Sequence, residues 1–478
     1  LLLFLQKKKV LAFFPRPRAM RWQRAAKLSY APATMAQPAP VSDLPDPSVS
    51  ELLAARPHLS MHAQDGLVLE GVPLKRIADV VGTPAWVYGA GTMRARLAQL
   101  QAALAGTNAH LHYAVKANDH IAVLNLMARG GAGADVTSEG ELRRARAGGV
   151  PAKDIVFSGV GKTAREIRLA VAEDIGQINV ESAEELELVS AIASSMGRTM
   201  RVALRINPDV DAGTHAKITT GKADNKFGIA YAEAEAVYAR AAGLPGVEPV
   251  GLALHIGSQI LSIAPYRAAY ARTADLVRSL RAAGHTVSRV DCGGGLGIGY
   301  RDDPGAPVEA FAGAVRATFN NLGVQIMVEP GRWLVGPAGV LLAEVAIAKG
   351  TPATRRFLVL DAAMNDLVRP AMYDAYHGIV PLSAADAAAP TEVVDIVGPI
   401  CESSDTFARD RTLPRLAQGA RVAILDAGAY GAVMSSTYNA RPLLPIVMVD
   451  GDQWAVVRDR QLHEDIWAGE RIPGFFSS

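Results

Sequence analysis

The chain is poor in cysteine. Only Cys292 and Cys401 occur in 478 residues, so a disulfide framework is excluded and a reducing cytoplasm suits it. It has no CxxC, no HExxH and no Cys/His cluster, so nothing supports a metal site. It also lacks a long apolar run. LLLFL and VLAFF near the start are separated by three lysines, and neither can span a bilayer. No repeat of solenoid period is visible. A basic surface is missing too, despite the formal net charge of +2. Eight cations (Lys7, Lys8, Lys9, Arg16, Arg18, Arg21, Arg24 and Lys27) precede the first acid, Asp43, leaving 41 of the 49 basic residues to face 47 acids. The body is mildly acidic, with no footprint for nucleic acid.

The basic, acid-free start is expected to be a disordered extension covering residues 1–45. Two readings stay open: a transit-peptide-like segment, or residues upstream of a native start at Met35. The Pro/Ala-rich stretch 31–47 is the one linker-like segment.

Between about residues 80 and 330, short apolar runs alternate with Ala-, Leu-, Glu- and Arg-rich stretches of helical period. The strand candidates are LHYAVKA, GADVTS, DIVFSG, QINVES, RVALRIN, GLALHIGS, RVDCGGG and VQIMVEPG. Eight strand–helix units predict a (β/α)₈ TIM-like barrel, with a doubly wound sheet as the rival. After Trp333 the runs VLLAEVAIAKG, RRFLVLDAA, TEVVDIVGPI, ARVAILDAGAYG and PIVMVDGDQWAVV predict a C-terminal β-rich domain. The expected division is 46–90 contributing to the β domain through GLVLEG or PAWVYG, 91–332 as barrel, and 333–478 as β domain.

Chemistry-bearing residues gather at the expected C-terminal strand ends. Lys116 ends an apolar run, where a lysine can react covalently with a carbonyl; a surface lysine is the alternative. His255 in LHIGSQ offers a flat ring and Ser258 a small hydroxyl. Gly293, Gly294 and Gly295 present bare backbone N–H groups, although no GxGxxG frame fits. Gly161-Lys162-Thr163 fails as a P-loop because the earlier glycine it needs is Val156. Glu329 could keep a heteroaromatic nitrogen protonated, and Arg332, two residues past Pro330, could clamp a carboxylate. Arg369 and Tyr373 add a cation and a phenol, and Tyr430 sits between glycines. In GPICESSD, Cys401 is a potential proton donor beside Glu402; a structural thiol is the alternative.

Together YAVKAN, THAKITTG with KFGI, HIGSQI, GGGLGIGY, EPGR, MNDLVRPAMYDAYH, GPICESSD, GAYGAVMSSTYN and ARP, in this order over about 83–442, resemble the fold-type III pyridoxal-phosphate decarboxylases. The resemblance implies pyridoxal 5′-phosphate as cofactor and Lys116 as its Schiff-base lysine. It implies that Glu329 pairs with the pyridine nitrogen and His255 lies on the ring face. Ser258, Gly293, Gly294, Gly295, the Gly331–Arg332 backbone and Tyr430 would hold the phosphate. Arg332, Arg369 and Tyr373 would grip a distal carboxylate. Cys401 and Glu402 would come from the partner of an obligate homodimer, as proton donor and amine-recognising acid. The implied reaction is decarboxylation of meso-2,6-diaminopimelate at its D-centre to L-lysine and CO₂, in the cytoplasm, without nucleic acid or membrane.

Two departures from the family pattern are local: Glu139 where glycine is frequent, and Leu443 where a second arginine is common. The alternatives are an ornithine- or arginine-type decarboxylase on this fold and a catalytically silent regulatory paralogue. Ornithine and arginine end in a cation, which two arginines would not welcome.

Overall fold

The short apolar runs become strands because β-branched and aromatic residues fill them, and the polar residues after them start helices. Ser138, Thr163 and Ser182 each cap the helix that follows, accepting from the N–H of Glu141, Glu166 and Glu185. The computed structural model describes residues 45–211, 226–351 and 355–476. The expected N-terminal extension and the THAKITTG segment lie outside the described residues.

Eight parallel strands close into a barrel: Ala109–Ala114, Gly133–Val136, Ile155–Phe157, Gln177–Val180, Met200–Asn207, Val247–Ala253, Arg289–Asp291 and Gln325–Val328. The last pairs with the first, Met327 opposite His110, which completes the circle. All eight strands fall on the expected segments. The ring of helices is shifted by one element. Only the four-residue helix Arg332–Val335 follows the last strand, and Ala90–Ala103, ahead of the first, packs on Ile121–Arg129 and Val308–Phe319 instead.

The β-rich part runs Thr406–Pro414, Thr391–Val397, Phe357–Leu360, Gly339–Lys349, Ala85–Gly89, Ile446–Asp450 and Gln453–Arg458. Gly339–Lys349 is its spine. Its first half pairs with Ala85–Gly89 and Arg421–Ile424, its second half with Phe357–Leu360, with a register shift at Val345/Ile347. PAWVYG therefore supplies the strand from the 66–90 region. GLVLEG forms a separate antiparallel sheet with Leu59–His62 and Val72–Pro73.

Period-2 alternation lets the central sheet bury both faces. Trp86, Tyr88, Leu341 and Ile446 join the cluster that includes the barrel, whereas Val87, Val340, Leu342 and Val447 pack with Leu52, Leu67, Leu74 and Ile77. Among the described residues no helix is long and apolar enough to cross a membrane.

Candidate active site

Four barrel strands carry a polar side chain into their apolar interior: Asp135, Asn179, Arg205 and Asp291, all buried. None would be tolerated there unpaired. Asn179 donates to Asp291 Oδ2 at 2.9 Å and to Ser158 Oγ at 3.2 Å, and Gln177 donates to Asn179 at 2.8 Å. Arg205 donates to Glu181 at 2.6 Å, and Glu181 also accepts from the Gly159 and Gly228 N–H groups. This network forms the floor of a cavity of about 200 Å³ lined by Lys116, Thr137, Ser158, Arg205, His255 and Glu329, among others.

Lys116 does not sit in the strand itself. The strand ends at Ala114, and a 3₁₀ turn, Val115–Ala117, presents the side chain. The loop from the β-rich part clamps that turn: Tyr430 N–H donates to Ala117 O at 2.8 Å and Asn118 to Gly428 O at 3.1 Å. Lys116 Nζ meets Asp135 Oδ2 at 2.6 Å. Protein surrounds the lysine, yet its side chain keeps 35% of its accessible surface because the cavity lies beside it. Burial works against the charge of Lys116, but the Asp135 carboxylate beside it outweighs burial and raises the pKa of the amine.

Burial, then repulsion from Asp135 and Asp291, pushes Glu329 well above the usual carboxylate range, with Lys116 opposing. Glu329 Oε1 and Asp135 Oδ1 are buried without a hydrogen-bond partner among the described residues. His255 is held neutral by burial and by the nearby Arg205 and Lys116. Its Nδ1 accepts from Gly294 N–H at 3.3 Å, which leaves the proton on Nε2.

The glycine run is obligatory here. Gly293 and Gly295 have φ of +66° and +99°, and a Cβ on Gly294 would overlap the Glu329 carbonyl oxygen. Past it stands a cationic cluster. Arg332 donates to Tyr300 OH at 2.6 Å and to Ser258 Oγ at 3.0 Å, and its guanidinium lies 4.7 Å from the Tyr430 ring centre. Arg369 lies 4.7 Å over the Tyr300 ring and donates to His377 Nε2 at 2.8 Å. His377 in turn donates from Nδ1 to Leu425 O at 2.8 Å. Tyr373 ends the short helix Arg369–Tyr373 that begins with Arg369. Both arginines are buried, at 7% and 6% exposure, and among the described residues neither has a carboxylate partner.

Cys401 and Glu402 stand apart. Both are exposed, in the loop between Thr391–Val397 and Thr406–Pro414, and neither lines the Lys116 cavity. Glu402 accepts from Tyr438 OH and, at 3.1 Å, from Ser404. The fold thus gathers Lys116, His255 and Glu329 around one cavity, sets Gly294 beside His255, links Ser258, Arg332 and Tyr430 in a neighbouring cluster, and leaves Cys401 and Glu402 on the surface. Asp135, Asp291, Asn179, Arg205, Tyr300 and His377 were not singled out from sequence. Polar residues inside GADV, QINV, ALRI and RVDC are the signal that marks the first four, since only an interior-facing site explains them.

The chain resembles known proteins over most of its length. Residues 90–336 match the family model of the pyridoxal-dependent decarboxylase, pyridoxal binding domain. Diaminopimelate decarboxylase of Zymomonas mobilis is 47% identical over 410 residues, 85% of this chain and 96% of that one. The Pseudomonas aeruginosa protein of the same name is 46% identical over 407 residues, 85% and 97% of the two chains. Among solved structures, diaminopimelate decarboxylase of Helicobacter pylori complexed with L-lysine superposes with a TM-score of 0.80 at 37% identity, covering 83% of this chain and 98% of that one. The M. jannaschii enzyme in complex with L-lysine gives 0.83 at 36%, covering 88% and 99%.

Proposed function

Because this chain belongs to the pyridoxal-dependent decarboxylases, with diaminopimelate decarboxylases as relatives across most of its length, we propose that it decarboxylates meso-2,6-diaminopimelate at its D-centre to L-lysine and CO₂. The observation that carries the substrate assignment is the pair of buried arginines, Arg332 and Arg369, without a carboxylate partner among the described residues. Two uncompensated guanidiniums demand an anion, and bidentate recognition of a carboxylate is what they do best. A substrate ending in a cation, such as ornithine or arginine, would be repelled there.

The residues present fit pyridoxal phosphate. The orphan oxygens of Glu329 and Asp135 call for donors, Lys116 offers a primary amine, and the bare glycine loop suits a phosphate. When bound, the pyridine ring supplies an electron sink for the bond pair released as CO₂ leaves. Lys116 is the amine that engages the cofactor aldehyde, and Asp135 orients it. Glu329 would hold the ring nitrogen, and the neutral His255 ring would lie on the ring face without adding charge. Ser258, Gly293, Gly294, Gly295, the Gly331–Arg332 backbone and Tyr430 would anchor the phosphate. Arg332, Arg369 and Tyr373 would fix the distal carboxylate, so that the scissile carboxylate lies at the reacting end.

The exposed Cys401–Glu402 loop supports a site completed by a second copy of the chain. In that homodimer Cys401 of the partner subunit delivers the proton to the new carbon centre, and Glu402 of the partner subunit recognises the distal amine. On this reading the barrel, 91–332, carries the cofactor, and 46–90 with 333–478 completes the site; the enzyme works in the cytoplasm. The test is CO₂ release by the cofactor-loaded chain from meso-diaminopimelate, L-ornithine and L-arginine. Turnover of the first alone is expected; preference for either of the others would overturn the substrate assignment.

A further inference from the structure

A second cavity, about 830 Å³, lies outside the Lys116 site. Its walls come from Ala55–His58, one face of the helix Ala90–Ala103, the loop around Asp302 and Asp303, and Asp426. Several of these segments also bear residues of the active site. Tyr300 precedes Asp302, Trp333 beside Arg332 accepts from Arg96 Nε, and Asp426 opens the turn that carries Tyr430.

The charges on this wall do not balance locally. Arg56, only 3% exposed, is satisfied: Nε and Nη2 fork onto Asp426, Nη2 also donates to Tyr300 O, and Nη1 donates to the carbonyls of Leu52 and Arg301. Glu70 is satisfied by the Thr92 N–H and hydroxyl and the Gly451 N–H. His58 donates from Nε2 to Pro337 O at 2.9 Å, and burial lowers its pKa to about 4, so it is neutral. Arg96 is different. It stacks 3.9 Å from the Trp333 ring centre, and beyond its Nε bond its two terminal nitrogens have no hydrogen-bond partner among the described residues. The acid whose charge acts on it, Asp426, already belongs to Arg56. Asp302 and Asp303 line the same cavity; both are exposed, among the described residues neither is ion-paired, and Asp303 Oδ1 accepts from the Gly305 N–H at 3.1 Å.

A guanidinium with two unbonded nitrogens and two exposed carboxylates on the lining of one cavity are complementary to a molecule with one carboxylate and one or two ammonium groups. We propose that this cavity binds an amino acid, its carboxylate on Arg96 and its ammonium groups toward Asp302 and Asp303. A basic amino acid uses every charge on the wall. L-Lysine is the probe of choice, a choice that rests on the proposed reaction, of which it is the product. The volume accommodates it easily.

The test is equilibrium dialysis of labelled L-lysine against the full, cofactor-loaded chain. Two molecules per chain are expected, one in each cavity. Arg96→Gln should weaken the second by about tenfold or more, the worth of one charge-assisted contact, with turnover in the absence of lysine unchanged. The exposed pair Asp302→Asn with Asp303→Asn should weaken the same binding event and guards against misfolding of Arg96→Gln. A single molecule per chain, lost in these variants, would support this cavity and count against the active-site reading. A single molecule retained in both variants, two molecules unaffected by either, or no binding would overturn the proposal.

Discussion

Replacing His377 by phenylalanine isolates the support of Arg369, the arginine proposed to bind the distal carboxylate. His377, 1% exposed, accepts from Arg369 Nη1 at 2.8 Å, and its edge contact with Tyr300 has ring centres 5.3 Å apart. Phenylalanine keeps that ring packing and removes both hydrogen bonds. The lost bond involves a buried cation and is worth about 1.5–3 kcal/mol. If that free energy serves to aim Arg369 at the distal carboxylate, KM for meso-diaminopimelate rises by roughly ten- to a hundredfold. The value of kcat falls far less, because His377 touches no reacting atom. Leu425 O also loses its donor, which costs about 1–3 kcal/mol of stability. Steady-state CO₂ release across a wide substrate range reads the first effect, and thermal unfolding reads the second. His377→Gln, which can still accept from Arg369, should recover part of KM. A folded His377→Phe enzyme with unchanged KM but reduced kcat would refute the reasoning.

Other perturbations give sharp expectations. Gly294→Ala drives a methyl into the Glu329 carbonyl and should weaken cofactor retention by at least about tenfold, measured by dialysis and absorbance, since the loop cannot yield without moving Glu329. Cys401→Ala should lose most turnover while keeping the visible absorbance of the loaded enzyme; near-normal turnover would end the thiol's role. Mixing inactive Lys116→Ala and Cys401→Ala chains should restore about a quarter of wild-type activity, because half the dimers are mixed and each holds one complete site; no recovery would argue against shared sites. Acid should draw on the buried histidines at the expense of the fold. Burial lowers the pKa of His58 and His112 to about 4, so below about pH 6.5 the unfolded chain takes up protons that the native chain does not. The histidine contribution to stability therefore falls as pH drops from about 6.5 to about 4, by up to about 1.4 kcal/mol per unit for each histidine, against buried carboxyls such as Asp366 that act in the opposite sense, and His112→Gln should remove its share of that slope in thermal melts.

The fold was legible where pattern and period coincide. All eight barrel strands are apolar runs ending in polar residues, and their spacing by helical segments leaves few topologies. The helix ring was less legible, because nothing local says that Ala90–Ala103 closes the circle in place of a helix after Val328. GLVLEG and PAWVYG read alike as strands, and only tertiary pairing sends them to different sheets. Lys116, His255 and Glu329 were visible as reactive residues at strand ends. Asp135 and His377 were not, because each acts through a neighbour from a distant segment: Asp135 on Lys116, His377 on Arg369. The exposed position of Cys401 could not be read from GPICESSD, since a loop's sequence does not say which cavity it reaches.

The most direct measurement is borohydride reduction of the cofactor-loaded chain followed by peptide mapping, run beside an assay of L-lysine from meso-diaminopimelate. The account predicts a reduced pyridoxyl adduct on Lys116, lysine formed by the untreated enzyme, and neither in Lys116→Ala. An adduct on another lysine, or a correctly labelled Lys116 in an enzyme that makes no lysine from this substrate, would contradict it.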